Sequence, residues 1–219
     1  MENSAGRKTI FGEAEGEIVE KKSRFIAALS HAENEEEAER FLAAQKKKHY
    51  SARHHCSAFI VGNEQEIVRS NDDGEPGGSA GRPILSVLQG EDLHNTVAVV
   101  TRYFGGTLLG VGGLIRAYSG AVKAALDQAS YRIVSEGMLV TVQTDYYDDG
   151  KVKYRFRERK TLVLDTEYGV GVTTRILVPE EELEGLMKSL TDLTAGRAVI
   201  QPGALVRYSL IDGEIILEE

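Results

Sequence analysis

Thr96 to Thr101 is an unbroken run, β-branched except at Ala98, with no polar alternation. A half-exposed strand alternates apolar with polar residues, so such a run is a central strand buried on both faces. Glycines crowd the segment that follows: Gly105, Gly106, Gly110, Gly112, Gly113 and, further on, Gly120. From Leu114 onward Ala117, Tyr118, Ala121, Val122, Ala125 and Ala129 recur at helical spacing and define one apolar face. Strand, glycine-rich junction and helix therefore form the centre of the first part of the chain.

The elements around that centre read less strongly. Glu15–Glu20 and Ser23–Ser30 form a hairpin joined by Lys21 and Lys22. Asn34, with Glu37 three residues on, is a capping box that opens a helix from about Glu35 to Lys48. Its last turn, Lys46 to Lys48, complements the carboxyl end of the helix dipole, and the same lysines are alternatively an RNA contact. His54–Val61 and Glu66–Ser70 read as neighbouring strands, the turn formers Asn71 to Ser79 as irregular, and Arg82–Leu88 as a short helix.

Beyond Val134 the texture changes. Met138–Thr144 alternates as a strand, and a helix from Asp145 to about Arg157 is interrupted by Gly150. Leu162–Tyr168 and Val170–Val178 form a hairpin at Gly169, Glu180–Thr191 is helical, and Ala198–Leu205 is a last strand. The order β-α-β-β-α-β is the ferredoxin-like, split βαβ plan. At 219 residues the chain holds one large or two small domains. An α+β protein with domains at 1–134 and 135–219 is expected.

Charge restricts the function classes. The net charge is −8, whereas binding nucleic acid by bulk electrostatics needs clustered Lys and Arg. Divided after Val134, the first part has 16 Lys+Arg against 18 Asp+Glu, and the second 10 against 16. Any basic surface is thus expected in the first part, and no DNA sequence specificity is expected. Cys56 is the single cysteine, so no intramolecular disulfide and no C-x-x-C zinc spacing exists. Met1 to Thr9 is polar, and no stretch approaches the roughly 18 apolar residues of a membrane span. A cytoplasmic protein without a membrane partner is expected.

The segment Thr101–Tyr118 carries the candidate site. Gly105, Gly106, Gly110, Gly112 and Gly113 lead into a helix start, where unpaired N–H groups and the dipole favour an anion. Arg102 and Arg116 flank it, and Tyr103 and Phe104 offer planar faces to a base. Alternatively the glycines serve close packing and the aromatics are core. A buried Arg102 paired with a carboxylate would instead support the fold. Lys22, Arg24, Arg53, His54 and Arg82 are possible neighbours of the site.

A second group, Asp72, Asp73 and Glu75 with Gly74 and Pro76, lacks ligand spacing and reads as a turn whose side chains cap local backbone groups. No metal, no cofactor and no catalytic residue is assigned. An enzyme in which Asp73 or Glu75 acts as base or magnesium ligand beside a nucleotide phosphate stays open as the alternative. His54 and Cys56 share one side of their strand. Cys56 reads as a small buried hydrophobe, and a catalytic thiol is its rival.

Lys22–Ala27, His54–Cys56, Asp73–Pro83 and Arg102–Gly106 through Ala117-Tyr118 together resemble the motifs of the IMPACT family, bacterial members included. The resemblance implies a first domain like the second domain of a small-subunit ribosomal protein and a second domain like the last domain of elongation factor G. It further implies a translation regulator that binds RNA, the ribosome or a translation-related protein. A protein-interaction regulator without nucleic acid contact also remains open.

Overall fold

The computed structural model describes residues 6–63, 65–211 and 214–217. Most of the polar stretch from Met1 to Thr9 lies outside them. The chain divides into two compact units, Arg7–Arg132 and a second made of Gly6 and the residues from Ile133 onward.

In the first unit, strands β1 (Arg7–Phe11), β2 (Glu13–Glu20) and β3 (Ser23–His31) precede helix α1 (Glu35–Lys48). Then come β4 (His54–Val61), β5 (Ile67–Asn71), α2 (Gly81–Gly90), β6 (Thr96–Tyr103) and α3 (Val111–Leu126). An antiparallel sheet runs β2-β3-β6-β4-β5, with the Thr96 run at its centre. Alternation divides its side chains between two cores. Phe25, Ala27 and Leu29 of β3, Cys56, Ala58 and Ile60 of β4, and Ala98 and Val100 of β6 meet α2 and α3. Phe59, Val61, Val97 and Val99 point the other way, with Ala38, Phe41 and Leu42 of α1. The strand buried on both faces is thereby explained by a helix layer on each side.

Local chemistry accounts for several joints. Lys21 and Lys22 both have positive φ, 44° and 66°, the backbone of a two-residue hairpin turn. Asn34 accepts from Glu37 N at 2.9 Å, while Glu37 returns its carboxylate to Glu33 N at 2.8 Å, one residue before the cap. The helix after the glycines starts at Val111 rather than Leu114, because Gly110, at φ 70°, turns the chain directly into it.

Strand β7 (Ser130–Thr144) runs into the second unit, which holds α4 (Tyr146–Glu158), β8 (Leu162–Tyr168), β9 (Val172–Val178), α5 (Glu180–Leu193), β10 (Val199–Ile211) and β11 (Glu214–Leu217). Its antiparallel order β11-β10-β7-β9-β8 contains the split βαβ arrangement, with β9 between β7 and β8. Val140, Val142, Ile176 and Val178 pack beneath Val152 and Phe156 of α4 and Leu186 and Leu190 of α5. Strand β7 begins eight residues before the expected Met138, and its pairing with β10 continues from Met138 back through Gly137 and Ser135 to Ile133. Gly150 does not interrupt α4, whose N-terminus is capped by Asp145 accepting from Asp148 N. Among the described residues no helix is long and apolar enough to cross a membrane.

The tightest helix-to-sheet contact is at Gly16 of β2. A Cβ there would lie 2.2 Å from Ala125 N, in the backbone of α3. Backbone cannot swing aside, so Gly16→Ala is expected to cost about 1–3 kcal/mol, seen as a lower urea midpoint at unchanged m-value. Gly90→Ala, where nothing lies within 4 Å, should stay within about 0.5 kcal/mol of the parent.

Candidate functional site

Register brings Arg102 of β6 opposite Phe25 of β3 and opposite His54 of β4. Parity then points its guanidinium into the core shared with α2 and α3, where it is only 6% exposed. A charge taken out of water needs a partner. That partner is Glu75, whose Oε1 lies 2.6 Å from Arg102 Nη1 and accepts from the Tyr118 hydroxyl of α3 at 2.8 Å. The guanidinium stacks between Phe25 and Phe104, 5.4 and 5.5 Å from their ring centres. Its Nε is buried without a hydrogen-bond partner among the described residues.

Glu75 reaches this position because its loop is tied down. The Asp72 carboxylate accepts from Gly78 N at 2.7 Å, Ala80 N at 2.9 Å and Gly81 N at 2.8 Å, and so caps the start of α2 from outside the helix. Burial would raise the Asp72 pKa, but these three donors outweigh it and hold the group below the ordinary carboxylate range. Asp73 Oδ2 accepts from His55 N at 2.6 Å. His54 Nδ1 meets the Asp73 carbonyl at 2.8 Å; a carbonyl only accepts, so Nδ1 is the donor in this contact. Two of the three acidic side chains thus serve backbone groups, as a turn requires, and Glu75 serves Arg102.

Cys56 Sγ sits 3.0 Å from the Asp72 carbonyl and 3.3 Å from the Tyr118 hydroxyl. Burial pushes its thiol up to about 12, so at neutral pH it is a packed S–H group rather than a nucleophile. Burial, with the neighbouring Cys56 and Glu75, also pushes the Tyr118 hydroxyl up and keeps it a donor.

A cleft of about 420 Å³ opens above the pair, floored by Glu75 and Arg102. Arg53, His54 and Pro76 form one wall, and Phe104, Leu108, Leu109, Gly110, Val111 and Leu114 the other. Leu108 is 82% exposed at the rim, and Phe104 and Val111 are exposed beside it. The residues singled out from sequence fall into separate places. Arg102, Phe104, Gly110, Arg53, His54, Glu75 and Pro76 meet at the cleft. Tyr103, one residue from Arg102, points to the opposite face, with its hydroxyl 3.1 Å from His49 Nδ1. Arg24 is on that side too, paired with Glu17 at 2.8 Å. Arg116 is exposed on α3 and Arg82 on α2, and neither lines the cleft.

The glycines divide as well. Gly105 is required by packing, since a Cβ would lie 2.1 Å from the Lys22 carbonyl carbon. Gly106 and Gly110 supply positive φ, 85° and 70°. Gly112 and Gly113 sit in the first turn of α3 and Gly74 in the acidic loop. Leu108, Tyr118 and the Cys56 contact are the parts that sequence reading missed. Among the described residues no group of three or more His, Cys, Asp or Glu is placed to hold a metal.

Comparison with known proteins bears on the whole chain. YvyE of Bacillus subtilis, an IMPACT family member, is 41% identical over 199 residues, covering 90% of this chain and 91% of that protein. The chain belongs to the IMPACT family. The Impact N-terminal domain model matches residues 21–126 of this IMPACT protein, and a domain of unknown function matches residues 142–197. YigZ of Escherichia coli is 34% identical over 178 residues, 80% of this chain and 87% of its own. A solved structure described as a hypothetical protein superposes with a TM-score of 0.59 at 30% identity, covering 91% of this chain and 98% of that one.

The Asp72 cap yields a pH-dependent expectation. Its folded-state pKa is depressed, so the stability it contributes is complete above the ordinary value near 3.8 and is lost as pH falls through the folded value. Asp72→Ala should cost about 1–2 kcal/mol at pH 7, the range for losing a side-chain cap. In urea titrations at pH 3 the gap to the parent should narrow.

Proposed function

We propose that this IMPACT protein is a cytoplasmic binding protein that regulates translation, and that its first unit grips a protein segment in the cleft above Arg102 and Glu75. The single observation that carries the reading is the chemistry of that cleft: apolar walls, an exposed Leu108 rim, and a buried Arg102 Nε without an acceptor among the described residues. A large apolar side chain followed by a backbone carbonyl or carboxylate meets both needs. RNA suits the cleft less well. Glu75 already neutralises Arg102, so a phosphate would meet a paired floor, with Arg53 of the wall as the cation beside it.

The cellular setting rests on the family. The resemblance to translation regulators, and the likeness of the two units to a ribosomal-protein domain and to the last domain of elongation factor G, belong to the same proposal. No catalytic role is included. The Cys56 thiol is protonated, and Asp73 and Glu75 are engaged with His55 N and Arg102.

A photo-crosslinking amino acid at Leu108 tests the reading, with the same group at the exposed Tyr50 as control. Crosslinks in living cells specific to Leu108 and mapping to a ribosomal protein or translation factor are expected. Leu108→Asp should weaken that partner's binding by about tenfold, roughly 1.4 kcal/mol. Crosslinks to RNA alone, or the same products from both positions, contradict it.

A further inference from the structure

The second part of the chain has 10 Lys+Arg, and six of them, Lys151, Lys153, Arg155, Arg157, Arg159 and Lys160, fall within ten residues. One acid, Glu158, shares that stretch. The deficit of cations across this part therefore conceals a local concentration on α4 and the residue pair that follows it. The expectation that any basic surface belongs to the first part is corrected by this segregation.

Helical spacing arranges the group. Lys153 and Arg157, at i and i+4 on α4, together with Lys160 just past the end of the helix, line a groove of about 400 Å³ beside β8. Phe156 and Val163 give that groove apolar surface, and Thr161, Thr166 and Thr174 give it hydroxyls. Lys153 is held by Asp149 and by the Tyr168 hydroxyl, 2.9 and 2.6 Å away. Arg157 and Lys160 have neither an ion-pair nor a side-chain hydrogen-bond partner among the described residues. The acids nearest in sequence are engaged elsewhere: Asp148 is buried against Lys151 and Arg197, Asp165 pairs with Arg175, and Glu158 with Arg155.

Flat exposed rings border the cations. Tyr154 on α4 is 63% exposed and Tyr168 at the end of β8 is 62% exposed. The Lys153 ammonium stands 4.7 Å from the centre of the Tyr168 ring. An acidic peptide would use the cations and leave the rings idle. A folded duplex would offer phosphates but no unstacked base. Free cations in a groove with hydroxyl donors, flanked by aromatic faces, match a single nucleic-acid strand.

We propose that the α4–β8 face of the second unit binds single-stranded nucleic acid, with phosphates on Arg157 and Lys160 and bases stacked on Tyr154 and Tyr168. This site is independent of the cleft in the first unit and stands whether or not a protein segment binds there.

Fluorescence anisotropy on the full chain tests it, with labelled 12-nucleotide oligo-rU, oligo-dT and a duplex of equal length as probes. Binding of at least one single strand in the range of about 10⁻⁴–10⁻⁶ M, weaker with added salt, is expected. The stronger of the rU and dT arms identifies RNA or DNA as the natural strand. Arg157→Gln combined with Lys160→Gln should lower affinity about tenfold or more and reduce the salt slope by about 0.7 for each lost phosphate contact. Tyr154→Ala should lower affinity by about tenfold and Tyr154→Phe should restore it, because the ring and not the hydroxyl stacks. Lys188→Gln, an exposed cation of α5, should leave binding unchanged. Thermal melts confirm that each variant is folded. Absence of binding to both strands, equal binding of the duplex, or full affinity in the folded charge and ring variants overturns the proposal.

Discussion

The ion pair between Glu75 and Arg102 is the contact on which the first unit's functional face depends. Arg102 lies one residue from the end of the central strand of the sheet, and its side chain enters an apolar core that cannot solvate it. Glu75 arrives from a loop 27 residues earlier. Removing either charge leaves the other stranded, a larger penalty than the pair's own net worth. Tyr118 extends the contact to α3, and Asp72 fixes the same loop to the start of α2. One buried pair therefore aligns the sheet, both helices on that face and the loop, and the cleft is the space these four leave.

Much of the fold was legible because its signals are local. The Thr96 run, the Asn34 cap and the apolar face of α3 depend on neighbours within a few residues, which a sequence displays directly. What failed to show depends on distant partners. Gly16 looked like an ordinary strand residue until α3 lay on it. Gly105 looked like part of a phosphate loop, yet the backbone at Lys22 dictates it. Glu75 read as one more acid in a turn because nothing local announces a partner on another strand.

Other features were present in the sequence and diluted by the way it was divided. Strand alternation alone separates Arg102 from Tyr103 and sends them to opposite faces. A charge total over 85 residues hid the six cations of residues 151–160 behind acids located on α5 and elsewhere. The two units accordingly present different chemistries. The first offers an apolar cleft over a neutralised pair, and the second offers a groove lined by Lys153, Arg157 and Lys160.

The most direct measurement of the central claim is a double-mutant cycle on Glu75→Leu and Arg102→Met, read by urea unfolding at neutral pH. If the pair organises this face, each single replacement loses about 3–5 kcal/mol by stranding a buried charge. The double replacement then loses much less than their sum, leaving a coupling of about 2 kcal/mol or more. Single losses below about 1 kcal/mol that add within about 0.5 kcal/mol would contradict the account, because the two charges would then act independently.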